Sequence, residues 1–257
     1  MKLFLFLFLA AAPAFAAPVS HEAVYDIGLS SSAGGASGVV SARGVMRYTL
    51  RKNCSVWDTE TVFSTDVAYE SAGVRTTHWK QTTKETPDGC LFDFEVFSRE
   101  KGRDKKELAG SARCENGKKK LKIIHPTVMF FDFPSSVRFP VEQTFSLVRA
   151  MKNNEKEVKT RFYDGTLPVA SAVVAARLSP SSEKAAIPAL NGVKKSKVDL
   201  AFYPRDREDG TPAYEVSLRL YENGVVDESV QDFGSHVLKS TLRSLTFLPD
   251  IPCAPAR

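Results

Sequence analysis

CLFDFEVFSREKGRDKKELAGSARCENG, residues 90–117, is the stretch whose reading decides the fold. On both sides of a polar, glycine-containing turn, apolar or small residues recur at every second position, the period of a strand with one face buried. Setting Cys90 opposite Cys114 centres the turn on Gly102 and lets the register be checked. Phe92 then faces Ala112, Phe94 faces Gly110 and Val96 faces Leu108, all on the cysteine side, so large residues meet small ones. Directly opposed residues at a non-hydrogen-bonded antiparallel site have Cα atoms about 4.5 Å apart, within reach of a disulfide. Asn116-Gly117 signals a tight hairpin that folds 118–124 back, giving a three-stranded meander.

Towards the N-terminus, 21–30 reads as a strand, the small-residue run 31–38 as a turn, and 39–51 as a long strand with Met46, Tyr48 and Leu50 on one face. Cys54 continues that parity and is expected on the core side. Residues 55–69 and 74–84, rich in Thr, Val, Tyr, Phe and Trp, are two further strands separated by Gly73. Towards the C-terminus, TVMFFDFPSSVRFP, 127–140, is irregular and reads as a loop plugging the core; its phenylalanines would also suit a lipid-binding mouth. Pro140 opens a helix of about three turns with Val141, Phe145, Val148 and Met151 on one face.

Strands are expected at 156–163, 168–178 and 197–203, with surface loops at 179–195 and 204–212. Tyr214, Val216, Leu218 and Leu220 alternate with polar residues before Asn223-Gly224. A strict two-residue turn there would set Leu220 against Asp227, so a three-residue loop with a bulge, shifting the pairing with 225–233, is expected instead. The run 237–248 places Leu238, Leu242 and Leu245 at helical spacing, but its serines and threonines favour a strand.

The chain is therefore mainly β, with about 13–14 strands, one short helix and one domain. So long a sheet must curl or close, because a flat one leaves exposed edges. A curled spiral or barrel-like antiparallel sheet with the helix packed inside or across its opening is the expected architecture.

The first residues form a lysine, an apolar run from Leu3 to Leu9 and an Ala-rich end at Ala16: a cleaved secretory signal, 1–16, leaving a single domain at 17–257. The run is too short to span a bilayer, and no cysteine near the junction offers a lipid anchor. Loss of Lys2 takes the net charge from +5 to +4, with bases and acids interspersed. Export and this balance argue against nucleic acid. The densest basic patch, Lys118 to Lys120 with Lys122, reads as a solvated hairpin end.

Four cysteines in an exported chain imply two disulfides with three possible connectivities. The hairpin register favours Cys90 with Cys114, which leaves Cys54 for Cys253; crossed pairings stay open. A Cys54–Cys253 bridge would close a loop of roughly 200 residues, worth up to ~5 kcal/mol on chain entropy.

The residues offer little catalytic or metal chemistry. His21, His78, His125 and His236 are scattered, and the chain has no nucleophile elbow, phosphate loop, paired-histidine zinc helix or closely spaced Cys/His set. Neither a catalytic residue nor a metal or cofactor is assigned. Charges on both faces of many strands count against an outer-membrane barrel. A curled sheet with a helix lid makes a natural pocket, and Phe130, Phe131, Phe133, Phe145 and Val148 are the candidate ligand or partner surface.

Several segments together resemble one family: HEAVYD at the mature start, RGVMRYTL followed by Cys54 and Trp57, FPVEQT at the helix entrance, RFYDGT, and YENGV with QDFG before the last cysteine. Running in order from His21 to Cys253, they resemble the EipB-like family of alphaproteobacterial periplasmic envelope-integrity proteins. The resemblance implies a spiral-like sheet of about fourteen strands round a helix, the Cys54–Cys253 bridge, a role in envelope maintenance under stress, and no catalysis. It also implies a shape like the periplasmic lipoprotein carriers, though likeness of fold does not transfer cargo. Cys90 and Cys114 depart from the pattern as an extra pair, and the strand at 196–203 lacks an expected preceding tryptophan. The expected function is a non-enzymatic periplasmic protein that maintains envelope integrity by binding a protein or envelope component. The alternative is a carrier of a hydrophobic ligand.

Overall fold

The computed structural model describes residues 18–32, 38–168, 172–204 and 210–254. The expected signal segment, most of the turn at 31–38 and part of the loop at 204–212 lie outside the described residues. The first seven strands are β1 (His21–Ser32), β2 (Val39–Asn53), β3 (Val56–Tyr69), β4 (Gly73–Glu85), β5 (Leu91–Glu100), β6 (Lys106–Glu115) and β7 (Lys118–His125). Then come β8 (Met129–Pro134), β9 (Val137–Arg138) and the helix α1 (Pro140–Lys152). The second limb holds β10 (Glu157–Phe162), β11 (Ala172–Pro180), β12 (Lys195–Pro204), β13 (Tyr214–Tyr221), β14 (Val226–Asp232) and β15 (His236–Phe247).

All fifteen strands form one sheet, in the order β8-β7-β6-β5-β4-β3-β2-β1-β15-β14-β13-β12-β11-β10-β9. Each strand pairs with its neighbour in sequence except where β1 meets β15, joining the first and last strands at the middle. The two sheet edges, β8 and β9, are consecutive in the chain with two residues between them. Such a link spans at most about 11 Å. The sheet therefore has to curl until its edges nearly touch, which makes it barrel-like. The stretch 127–140 is consequently not a loop in the core: it supplies both edges, and this raises the strand count from about thirteen to fifteen.

β9 and β10 make the sheet's parallel pairing. Parallel neighbours need a crossover, and α1 is that crossover. It lies inside the curl, with Leu147, Val148, Ala150 and Met151 packed among Val174, Ala176, Val198 and Leu200 of one limb. Val141 and Phe145 meet Leu50 and Trp57 of the other limb. The hairpin register is the one the residue pattern predicts, with Phe92 against Ala112, Phe94 against Gly110 and Val96 against Leu108. A Cβ on Gly110 would lie 2.6 Å from Phe94 Cζ, so the large-to-small match is strict.

Other expectations are corrected. Leu190, in the segment read as a surface loop, is fully buried in a 3₁₀ turn beside Tyr25 and Tyr221. β15, in contrast, is the strand that its serines and threonines favour. The β13–β14 connection has the three-residue loop, since Tyr221 N–H donates to Val225 O. A bulge at Asp227 then removes the shift, so Leu218 does face Ser229 while Leu220 faces Val226. The reason is Asp227 itself, fully buried on the face of β13 that carries Arg219 and Tyr221, where it accepts from Arg219 Nε (2.5 Å), Tyr221 Oη (2.7 Å) and Ala186 N–H (2.9 Å).

Cys54 is bonded to Cys253 and Cys90 to Cys114, with Cα separations of 4.4 and 4.8 Å. Cys54 sits in the β2–β3 turn, just past the end of the strand, and is half-buried. Cys114 N–H also donates to Cys90 O, so that pair is not at a non-hydrogen-bonded site. The C-terminal segment is stitched beside Cys54: Cys54 N–H donates to Ile251 O and Ile251 N–H to Lys52 O, both at 2.8 Å. Ser20 Oγ donates to Asp250 Oδ1 at 2.6 Å. The clasp thus covers the end of the β1–β2 pair.

The bridges close intervals of 199 and 24 residues, worth about 5 and about 3.5 kcal/mol by chain entropy. Thermal unfolding of Cys54→Ser and Cys253→Ser variants is expected to show the larger loss of Tm, and Cys90→Ser and Cys114→Ser the smaller. Equal losses would mean that the clasp does not constrain the unfolded chain.

Candidate functional site

The curl leaves an interior cavity of about 280 Å³ between α1 and the wall formed by β2, β1, β14 and β13. Inward-facing positions line it: Met46, Val216, Leu218, Leu220 and Val226 from the sheet, with Leu147 from the helix. The Asp227 bulge decides which β14 residues look in. Val226 precedes it, and after it the inward parity passes to Ser229 and Gln231. Larger hollows lie elsewhere, one of about 750 Å³ and one of about 570 Å³. Charged side chains such as Glu157, Lys159, Arg177 and Asp199 line the first, and Arg51, Asp58, Glu60 and Lys84 the second. Apolar enclosure with a few polar groups is the usual character of a small-molecule site, and the interior cavity has it.

Its polar groups come from β1, β2, α1 and, with Ser229 and Gln231, β14. Tyr25 Oη donates to Val226 O at 2.8 Å, and burial pushes its phenol well above the ordinary range. Thr144 Oγ1 donates to Pro140 O at 3.0 Å. The His21 ring is fully buried, 5.7 Å from the Tyr48 ring, with Nδ1 2.8 Å from Val19 O and no partner on Nε2. Burial holds its pKa below 6.5, outweighing the bond to Val19, so the ring is neutral.

Two buried ionisable groups, Glu85 and Lys119, position the helix. Phe139 at the N-cap offers α1 no side-chain acceptor. Glu85 of β4 supplies one from across the sheet: its carboxylate accepts Val141 N–H at 2.9 Å and Glu142 N–H at 2.7 Å. Burial pushes Glu85 up to about 8 against these two bonds, with Glu142 adding to the rise and Lys119 opposing it. Lys119, expected in a solvated patch, is 2% exposed. Its Nζ donates to Val137 O on β9 and to Glu142 on α1, both at 2.7 Å, and lies 4.6 Å from the centre of the Phe139 ring.

The five residues expected to form one ligand or partner surface do not do so. Phe130 is 71% exposed on β8, and Phe133 is buried against Phe92, Phe139 and Tyr163 with Phe131 half-buried at its margin. Phe145 stacks edge-on against Trp57, and Val148 belongs to the core of the second limb. None lines the cavity; the helix presents Thr144 and Leu147 there. His78, His125 and His236 are all far from full burial, and among the described residues no group of three or more His, Cys, Asp or Glu could hold a metal ion. No described helix is long and apolar enough to cross a membrane.

Signals for the missed residues were present in part. Lys119 shares the parity of Leu121 and Ile123, and Glu85 that of Trp79 and Thr83, so alternation placed both on the inner face. The interior role of His21 had no such marker.

A barrel-like sheet wound round one helix, with an apolar cavity beneath it, defines a class of mainly β proteins built to enclose. The EipB-like family model matches residues 11–249, and the chain belongs to that family. It is 27% identical over 235 residues to the Cell envelope integrity protein EipB of Brucella abortus, covering 88% of this chain and 83% of the relative. Its fold is that of a crystal structure described as a beta-barrel-like protein of a domain of unknown function from Brucella abortus. The TM-score is 0.84 at 23% identity, over 91% of this chain and 100% of the other.

A carboxyl whose folded pKa is raised binds its proton more tightly in the folded state than in the unfolded one. Its stabilisation is full below the ordinary value of 4.5 and is lost as pH rises to about 8. Thermal melts from pH 4 to 9 are expected to show wild-type stability falling across that window relative to Glu85→Gln. Parallel curves would remove Glu85 as the titrating group.

Proposed function

We propose that the protein is exported to the periplasm through a cleaved signal, and there maintains envelope integrity and stress resistance without catalysis, by binding an envelope component. Two disulfides fit an oxidising compartment. The envelope role rests on family membership and on the name of the Brucella relative. The observation that carries the mode of action is the interior cavity, enclosed by helix and sheet and lined chiefly by Met46, Leu147, Val216, Leu218, Leu220 and Val226. It favours a small hydrophobic ligand over a protein partner, because the expected phenylalanine surface is dispersed between core and exterior.

Native mass spectrometry of the protein released gently from the periplasm tests this. A discrete added mass that extracts into organic solvent is expected. Leu218→Trp, which fills the cavity, is expected to remove that mass and to lower survival under envelope stress in a strain relying on the variant, while Tm falls by only a few degrees. A bare wild-type mass together with full function in Leu218→Trp would overturn the cavity as the binding site.

A further inference from the structure

Among the residues that line the cavity, His21 carries the one side-chain atom, Nε2, that is fully buried without a hydrogen-bond partner. A backbone carbonyl only accepts, so the 2.8 Å contact with Val19 O requires that Nδ1 carry the proton. In a neutral ring, Nε2 is then an unprotonated acceptor, and it is buried without a partner. The hydroxyl protons of Tyr25 and Thr144 are already given to Val226 O and Pro140 O. Native proteins seldom leave a buried polar atom unsatisfied without a functional reason or an unseen partner.

We propose that the cavity receives a neutral, apolar molecule carrying a hydrogen-bond donor, in the first instance a hydroxyl, with His21 Nε2 as its acceptor. This rests on the reading of the cavity as a binding site and specifies its ligand. A carboxylate is excluded because it brings only acceptors to a lone pair. A cationic amine is disfavoured because no acidic side chain lines the cavity to balance it. The volume fits a small body: a cavity of about 150 Å³ holds a benzene ring, so 280 Å³ suits about a dozen non-hydrogen atoms. Tyr48, tilted 52° to the imidazole, supplies an aromatic wall next to the acceptor.

The matched probes 2-naphthol and 2-methylnaphthalene differ by a hydroxyl in place of a methyl group and otherwise share one shape. By calorimetry or competition with a fluorescent apolar reporter, the full mature chain is expected to bind 2-naphthol about tenfold more tightly. His21→Phe is expected to bind the two alike. Since this variant also loses the bond to Val19, the wild-type protein labelled with ¹⁵N-histidine gives an independent reading. The Nε2 resonance is expected at the position of an unprotonated nitrogen, and to move on addition of 2-naphthol but not of 2-methylnaphthalene.

Equal affinities in the wild type with an unmoved Nε2 resonance would overturn the role of His21 while leaving the cavity as a hydrophobic site, with a water satisfying the imidazole. A preference for 2-naphthol that persists in His21→Phe would overturn it too. Failure of both probes to bind would overturn this inference and the proposed cavity together.

Discussion

A single buried ammonium group ties together the parts of this fold that the sheet's own hydrogen bonds leave separate. Lys119 sits on β7, beside the β8 edge, and its Nζ reaches the carbonyl of Val137 on the opposite edge strand and the carboxylate of Glu142 on the helix. The two edges are not paired with each other, so the seam depends on this bridge and on the aromatic packing beneath it. There Phe92 stacks on Phe139 at 4.4 Å and Phe133 meets Tyr163 at 5.0 Å. A hydrated charge at this position would leave both edges open. Buried, it is compensated by two oxygen acceptors and one ring face.

The same corner positions the helix. With no side-chain cap of its own, the N-terminus of α1 is satisfied by Glu85 on β4, the strand that pairs directly with the β5–β6 hairpin. Glu85 and the Lys119–Glu142 ion pair therefore form one ionisable cluster at the mouth of the helix. From that anchored end α1 runs through the curl and holds the two limbs apart. The space that remains between Leu147 and β13 is the cavity. Function and fold meet here, because the helix that props the sheet open also encloses the site.

At the other end of the chain, the Cys54–Cys253 bond and the backbone bonds at Lys52 and Ile251 secure the β1–β2 pair. β1 carries His21 and Tyr25, two of the cavity's polar residues, and it also joins the first and last strands. Loosening the clasp would therefore reach the site through β1.

Strand alternation by itself determined the β5–β6 register and the Phe94–Gly110 match and favoured the Cys90–Cys114 pairing, because local packing across one hairpin depends on residues close in sequence. It also determined that so many strands had to curl, since unpaired edges are unstable in water. Family motifs added the Cys54–Cys253 clasp. Only the tertiary structure decided that the phenylalanine-rich stretch forms both edges, that Lys119 is buried, that Glu85 caps a helix 55 residues further on, and that Asp227 resets the β14 parity. The last three are compensations of a buried polar or charged group by partners on other segments. Which partner arrives from another strand to neutralise such a group is a property of the assembled sheet, and the local pattern of residues carries no record of it.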